Sequence, residues 1–301
     1  MLNVKALAVC ALLLAQPAAV SQSRIAQRAR DVETAGRQWP LPDDLAHAAR
    51  MQREYASAFG AIDDATALRG ETDEEIKLHW GAVDTAAFYS NDSGITDAVI
   101  RVFAELDRRG LADASAAKRL FNALLQARRF DAAREFANRH PDAGLPAVPV
   151  FGDTGTRLPS AWRFAVEDQR AERIGIDLHP LQIIVAAGCH FSADAANDVA
   201  ADPLLGPVFA RHAHWLSLPP GSEDLDALTD WNRAHPQTPM LAIHDRSEWA
   251  VIPKWDMPMF AIIRDGKLID STKGWRSGDP EFRARLVALL ARAGLLEAGT
   301  R

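Results

Sequence analysis

The stretch that most constrains this 301-residue chain is Leu181-Gln-Ile-Ile-Val-Ala-Ala-Gly-Cys-His-Phe-Ser192. Ile183, Ile184 and Val185 form a short apolar, β-branched run, the composition of a strand covered on both faces. Gly188 interrupts the run and Cys189 follows. After it, Phe191, Ala195 and Val199 fall at helical spacing. A cysteine between the end of a buried strand and the start of a helix faces the free N–H groups and positive pole of that helix. Both favour the thiolate, the nucleophilic form of the side chain.

A second segment about seventy residues on reads Met257-Pro-Met-Phe-Ala-Ile-Ile-Arg-Asp-Gly-Lys-Leu-Ile-Asp-Ser-Thr-Lys-Gly-Trp275. Pro258 opens an apolar strand, Asp265-Gly266 is a hairpin turn, residues 267–271 are the return strand, and Gly274 ends it. The two segments together resemble the thioredoxin family. That family has a reactive cysteine at the first turn of its first helix and a cis-proline at the start of a later strand. Cys189-His190-Phe191-Ser192 stands where the family has Cys-x-x-Cys, and Met257-Pro258 stands where it has the cis-proline dipeptide.

The resemblance implies roles. Cys189 is the nucleophile, Ser192 and His190 stabilise its thiolate, and Pro258 with Met257 and Gly188 forms the platform for an incoming chain. It also exposes departures. Ser192 replaces the second cysteine, and a serine hydroxyl donates a hydrogen bond but cannot attack a mixed disulfide. Gly188 replaces the aromatic residue that usually precedes the nucleophile, and Ile183 occupies the place of the family's buried acid. What remains is monothiol chemistry: isomerisation, or capture of a client or small thiol as a mixed disulfide. No cofactor is expected, and no metal, because Cys189 and His190 have no ligating companions nearby.

Cysteine usage and the N-terminus bear on where such chemistry would run. Lys5, the apolar run 6–14 and Ala19-Val20-Ser21 read as a secretory signal peptide over residues 1–21. The expected location is the periplasm or outside the cell. Cys10 lies within that leader, so Cys189 is the one cysteine expected in the mature chain. The formal net charge of −6 argues against a nucleic-acid partner. No apolar run approaches the length needed to span a bilayer, so membrane contact after cleavage is expected to be peripheral or nil. The expected partners are protein or low-molecular-weight thiols and disulfides.

Residues 22–42, rich in charge and ending in Trp39-Pro40-Leu41-Pro42, read as a tether or loosely held helix. Residues 43–143 read as helical hairpins. Asp43-Asp44 caps the first helix, and Thr72 with Glu75 forms a capping box on the next. Ala98 and Ala133 lie 35 residues apart in similar settings, and the segment 124–136 resembles the middle of a tetratricopeptide repeat. A plain helical domain covering its neighbour fits the same pattern. Residues 144–157 read as a linker. From 158 to 296 the pattern is α/β: a hairpin over 162–178, then the strand before Cys189, and further strands at 214–218 and 240–243. The Pro258 hairpin and a closing helix over 280–293 complete it. The helix after Cys189 is expected to break near Pro203 and Pro207. The fold expected is therefore an all-α hairpin domain followed by a thioredoxin-like α/β domain. The function expected is thiol–disulfide exchange on envelope proteins. A non-catalytic interaction protein, with a degenerate thioredoxin-like domain and a helical-repeat surface, is the alternative.

Overall fold

A computed structural model of the chain describes residues 24–38, 43–165 and 169–296. The expected leader over 1–21 and the Trp39-Pro40-Leu41-Pro42 stop lie outside them. The described residues form a mixed α/β structure with eleven α-helices and an eight-stranded mixed sheet.

Seven helices come first: α1 (Arg24–Arg37), α2 (Asp44–Phe59), α3 (Ala65–Gly70), α4 (Asp73–Tyr89), α5 (Ser93–Arg108), α6 (Ala114–Gln126) and α7 (Phe130–Arg139). Their starts are set by side chains that take up the free N–H groups of the first turn. Thr72 Oγ1 accepts from Glu75 N at 3.2 Å, and Glu75 Oε2 accepts from Thr72 N at 3.0 Å, closing the capping box on α4. Asp43, Asp64, Asp92 and Asp113 cap α2, α3, α5 and α6 in the same manner.

The tether expected over residues 22–42 is instead, through its described part, the helix α1. Ile25, Ala29, Val32 and Ala35 recur every three or four residues and are buried against α2 and α4. The arginines and acids between them occupy the opposite face, and their number masks the stripe in the sequence. Ala98 and Ala133 are both fully buried, where α5 and α7 pack on their neighbours.

The sheet contains β1 (Val150–Gly152), β2 (Ser160–Ala165), β3 (Arg170–Gly175), β4 (Gln182–Ala186), β5 (Ala213–Ser217), β6 (Met240–Ile243), β7 (Met259–Arg264) and β8 (Lys267–Lys273), in the order β1-β3-β2-β6-β5-β4-β7-β8. β4, β5 and β6 run parallel, β7 is antiparallel to β4, and β8 returns along β7. β2 joins antiparallel to β6, so the early hairpin extends the same sheet. The expected linker over 144–157 is not free either: β1 pairs with β3, and Phe151 stacks on Phe130 of α7 with centroids 3.6 Å apart.

Four more helices, α8 (His190–Ala201), α9 (Leu205–His212), α10 (Leu225–Ala234) and α11 (Pro280–Arg292), complete the chain. α9 forms although Pro207 lies in it, because a proline in the first turn removes an N–H that has no partner in any case.

Alternation along β4 sorts the core into two. Ile183 and Val185 join Phe260, Ile262, Leu286 and Leu289 under the helices, whereas Ile184 and Ala186 join Leu216, Trp249 and Ile252 on the other face. Ile183, Ile184 and Val185 are each 0% exposed. At about 1.5–3 kcal/mol per buried side chain, a one-residue slip would forfeit both sets of contacts at once. This double burial fixes β4, and with it the residue that follows.

The helical layer is docked onto the sheet region by named contacts. Arg246 Nη2 donates to Asp44 Oδ2 at 3.0 Å, Arg128 pairs with Asp245 at 2.8 Å, and Lys118 pairs with Asp224 at 3.1 Å. Gly221, with φ +92°, lies directly on the backbone of α6. A Cβ there would overlap Asn122 O and sit 3.0 Å from Gln126 N.

Candidate functional site

β4 ends at Ala186, and Gly188 turns the chain at φ +147°, a conformation open to glycine. Cys189 is then the N-cap of α8, with extended backbone at φ −107° and ψ 169°. Its carbonyl accepts from Ser192 N at 2.9 Å and from Ala193 N at 3.3 Å. The expectation that helix amides gather at the sulfur is not met, for the side chain takes no capping hydrogen bond. The sulfur instead meets two oxygens: Ser192 Oγ at 3.4 Å, from one turn along α8, and Met257 O at 3.5 Å, from the segment before β7.

These contacts define a proton arrangement. The thiol S–H donates to the carbonyl of Met257, and the sulfur can accept from the Ser192 hydroxyl. Ser192 is fully buried and Cys189 half-buried, so the thiol lies at the surface with its serine partner beneath it. The thiol proton must leave before the sulfur attacks anything.

The other expected residues divide. The Met257–Pro258 peptide bond is cis, Pro258 is buried, and its carbonyl accepts from Gly274 N at 2.8 Å, which ties the start of β7 to the end of β8. Met257 and Pro258 therefore stand beside Cys189 although 68 residues separate Met257 from it. His190 does not join them. It is exposed as the first residue of α8, its ring lies 3.8 Å from that of Phe191, and no hydrogen bond from it to the sulfur is found among the described residues.

Gly188 has an occupant in place of a side chain. Glu223 Oε2 lies 2.5 Å from the position a Gly188 Cβ would take, with Met257 Sδ 3.2 Å from the same point. Glu223 comes from the turn 218–224 between β5 and α10. There Ser222 N and Glu223 N both donate to Pro219 O, and Gly221 N donates to Glu223 O. Loss of water around the carboxyl pushes its pKa up to about 7. The Asp224 backbone N–H opposes that shift weakly, and the Asp224 charge adds to it. No reading of the sequence singled out Glu223. The missing side chain at Gly188, where an aromatic residue was expected, was the one signal that something else fills the space.

Beside the same turn, a cleft of about 640 Å³ lies between α2, α4 and α6 on one side and residues 218–222 and 245–247 on the other. Phe88 at its rim is 73% exposed. Among the described residues no helix is long and apolar enough to cross a membrane, and no group of three His, Cys, Asp or Glu side chains is placed to hold a metal ion. No family model, curated protein or solved structure matches the chain.

Proposed function

We propose that residues 158–296 form a thioredoxin-like domain and that Cys189 performs monothiol thiol–disulfide exchange with protein or low-molecular-weight partners outside the cytoplasm. The observation that carries this reading is the convergence on one half-exposed sulfur of the Ser192 hydroxyl and the Met257 carbonyl, at the mouth of a doubly buried strand. A structural cysteine would sit deeper, whereas this thiol is half-buried. The succession β4–α8, β5–α10, β6, β7–β8 and α11 follows the order the resemblance implies, with room for an insert before β6 and the β2–β3 hairpin as an addition.

With serine at position 192, attack of Cys189 on a client disulfide yields a mixed disulfide that this site cannot resolve from within. Release then requires a second thiol from the client, which is isomerisation, or from solution. The test is labelling of the folded chain. Iodoacetamide should modify Cys189 without denaturant, and oxidised glutathione should add one glutathione to the wild type and none to Cys189→Ser. A thiol that reacts only after unfolding would remove the exchange reading.

The cleft between the helical layer and the turn 218–222 favours a second reading, in which the helices hold a partner and the thiol is incidental. The two separate cleanly: a partner held by the helices survives Cys189→Ser, and a partner held through sulfur does not.

A further inference from the structure

We infer that Glu223, held beside Gly188 by the helical layer, is the proton-transfer residue of this site. The inference rests on the reading of Cys189 as a nucleophile and adds to it the acid that the sequence lacks at position 183. Three observations place the carboxyl. It occupies the space a side chain at position 188 would fill, so the group stands one residue from Cys189, whose Cα is about 3.8 Å from that of Gly188. It shares that space with Met257 Sδ, and the Met257 carbonyl receives the thiol proton. The turn that carries it is fixed from behind, by Gly221 against the α6 backbone and by Lys118 on Asp224.

The groups facing the carboxyl are few. Asp224 follows it in the same turn, Lys118 reaches Asp224 from α6, and Met257 Sδ lies against the same space at Gly188. Asp224 is the one charge that acts on Glu223 directly, and burial dominates its effect. A carboxyl that titrates near neutrality is suited both to take a proton and to return it.

The exchange balances as follows. Glu223 carboxylate accepts the Cys189 proton, directly or through one water. The sulfur lone pair attacks one sulfur of a disulfide R–S–S–R′, a Cys189–S–S–R bond forms, and the old S–S bonding pair departs on R′–S⁻. Protonated Glu223 then delivers the proton to give R′–SH. One disulfide replaces another, with no net oxidation and no further reactant.

This role predicts dependence on the leaving group, which a merely structural carboxyl would not show. Two probes are compared on the full chain, wild type and Glu223→Gln. Oxidised glutathione releases a basic alkyl thiolate that needs a proton, whereas an aromatic nitrobenzoate disulfide releases a thiolate that leaves without one. Glu223→Gln is expected to slow exchange with oxidised glutathione by about 10²-fold, the lower end of what a positioned acid or base contributes. It should slow the aromatic reaction less, because only the deprotonation of Cys189 is lost there, and the inflection near pH 7 in the wild-type glutathione profile should disappear. Circular dichroism of the near-isosteric variant verifies its fold. Equal rates for the two proteins would overturn the role of Glu223, and equal slowing with both probes would overturn its delivery of the proton to the leaving thiolate, while either result leaves Cys189 a nucleophile. A wild type inert to both disulfides would remove nucleophile and acid together.

Discussion

Holding a carboxyl in a partly dry turn has a thermodynamic consequence that can be measured without any substrate. In the unfolded chain Glu223 titrates at its ordinary value of 4.5, and in the folded chain at about 7. Between these values the folded protein holds a proton that the unfolded chain has released, so stability falls as pH rises through the interval and is level above it. At about 1.4 kcal/mol for each pH unit, the full gap corresponds to roughly 3.4 kcal/mol. The side chain keeps some contact with water, and solvent screening brings the expected effect to about 2 kcal/mol. Glu223→Gln keeps the shape and removes the charge. Its stability relative to wild type should therefore grow by about 2 kcal/mol between pH 5 and pH 8, seen as a relative gain on the order of 1 M in urea midpoint. Urea unfolding of both proteins at the two pH values decides the matter. Parallel pH profiles would show that the carboxyl is ionised and solvated in the fold, and the argument from burial would be wrong.

Other perturbations test neighbouring parts of the structure. Ser192→Cys sets a second sulfur where Oγ now lies 3.4 Å from Cys189, and the oxidised variant should form an internal disulfide and gain dithiol reductase activity toward insulin. A folded variant with two free thiols after oxidation would refute the site geometry. Gly221→Ala combines a left-handed backbone, costing about 1–2 kcal/mol for an L side chain, with a Cβ driven into Asn122 O. It should lower the melting temperature and slow exchange with oxidised glutathione, and wild-type values for both would show that the turn is not pinned by α6. Hydrogen bonds from Arg108 and then Arg109 hold the Glu105 carboxyl down at about 2, so its contribution to stability is complete above pH 4.5 and lost as pH falls toward 2. Glu105→Gln should flatten that limb of the acid-unfolding curve, and an unchanged limb would place the ion pair outside the stability of the fold.

Much of this was legible in the chain because the signals were local. The β-branched run before Gly188, the Asp265-Gly266 turn and the Thr72–Glu75 box each act over a few residues, and each appears where spacing alone places it. What went unread depends on distant neighbours. α1 passed for a tether because charged residues outnumber its apolar stripe, and that stripe gains meaning once α2 and α4 cover it. β1 is three residues long and owes its existence to β3. The break expected near Pro203 and Pro207 falls at Pro203, between α8 and α9, while Pro207 lies in the first turn of α9, where a proline is tolerated. Glu223 lies 34 positions after Cys189 in a polar turn. Its carboxyl becomes notable through what surrounds it, and the sequence marks the space it fills only by the absence of a side chain at position 188. His190 is an exposed helix-start residue beside Phe191, a placement its sequence position alone allowed.

The contact of Gly221 with α6 makes the two halves of the protein one machine in a sense that their separate folds conceal. An excised sheet region would keep its thiol, serine and proline, yet lose the wall behind the acid. Its arm would then lose the contact with α6 and the Lys118–Asp224 pair, and the exchange proposed for Cys189 would slow with it. Conversely, a ligand wedged into the neighbouring cleft would press on that same arm and alter reactivity without touching sulfur at all.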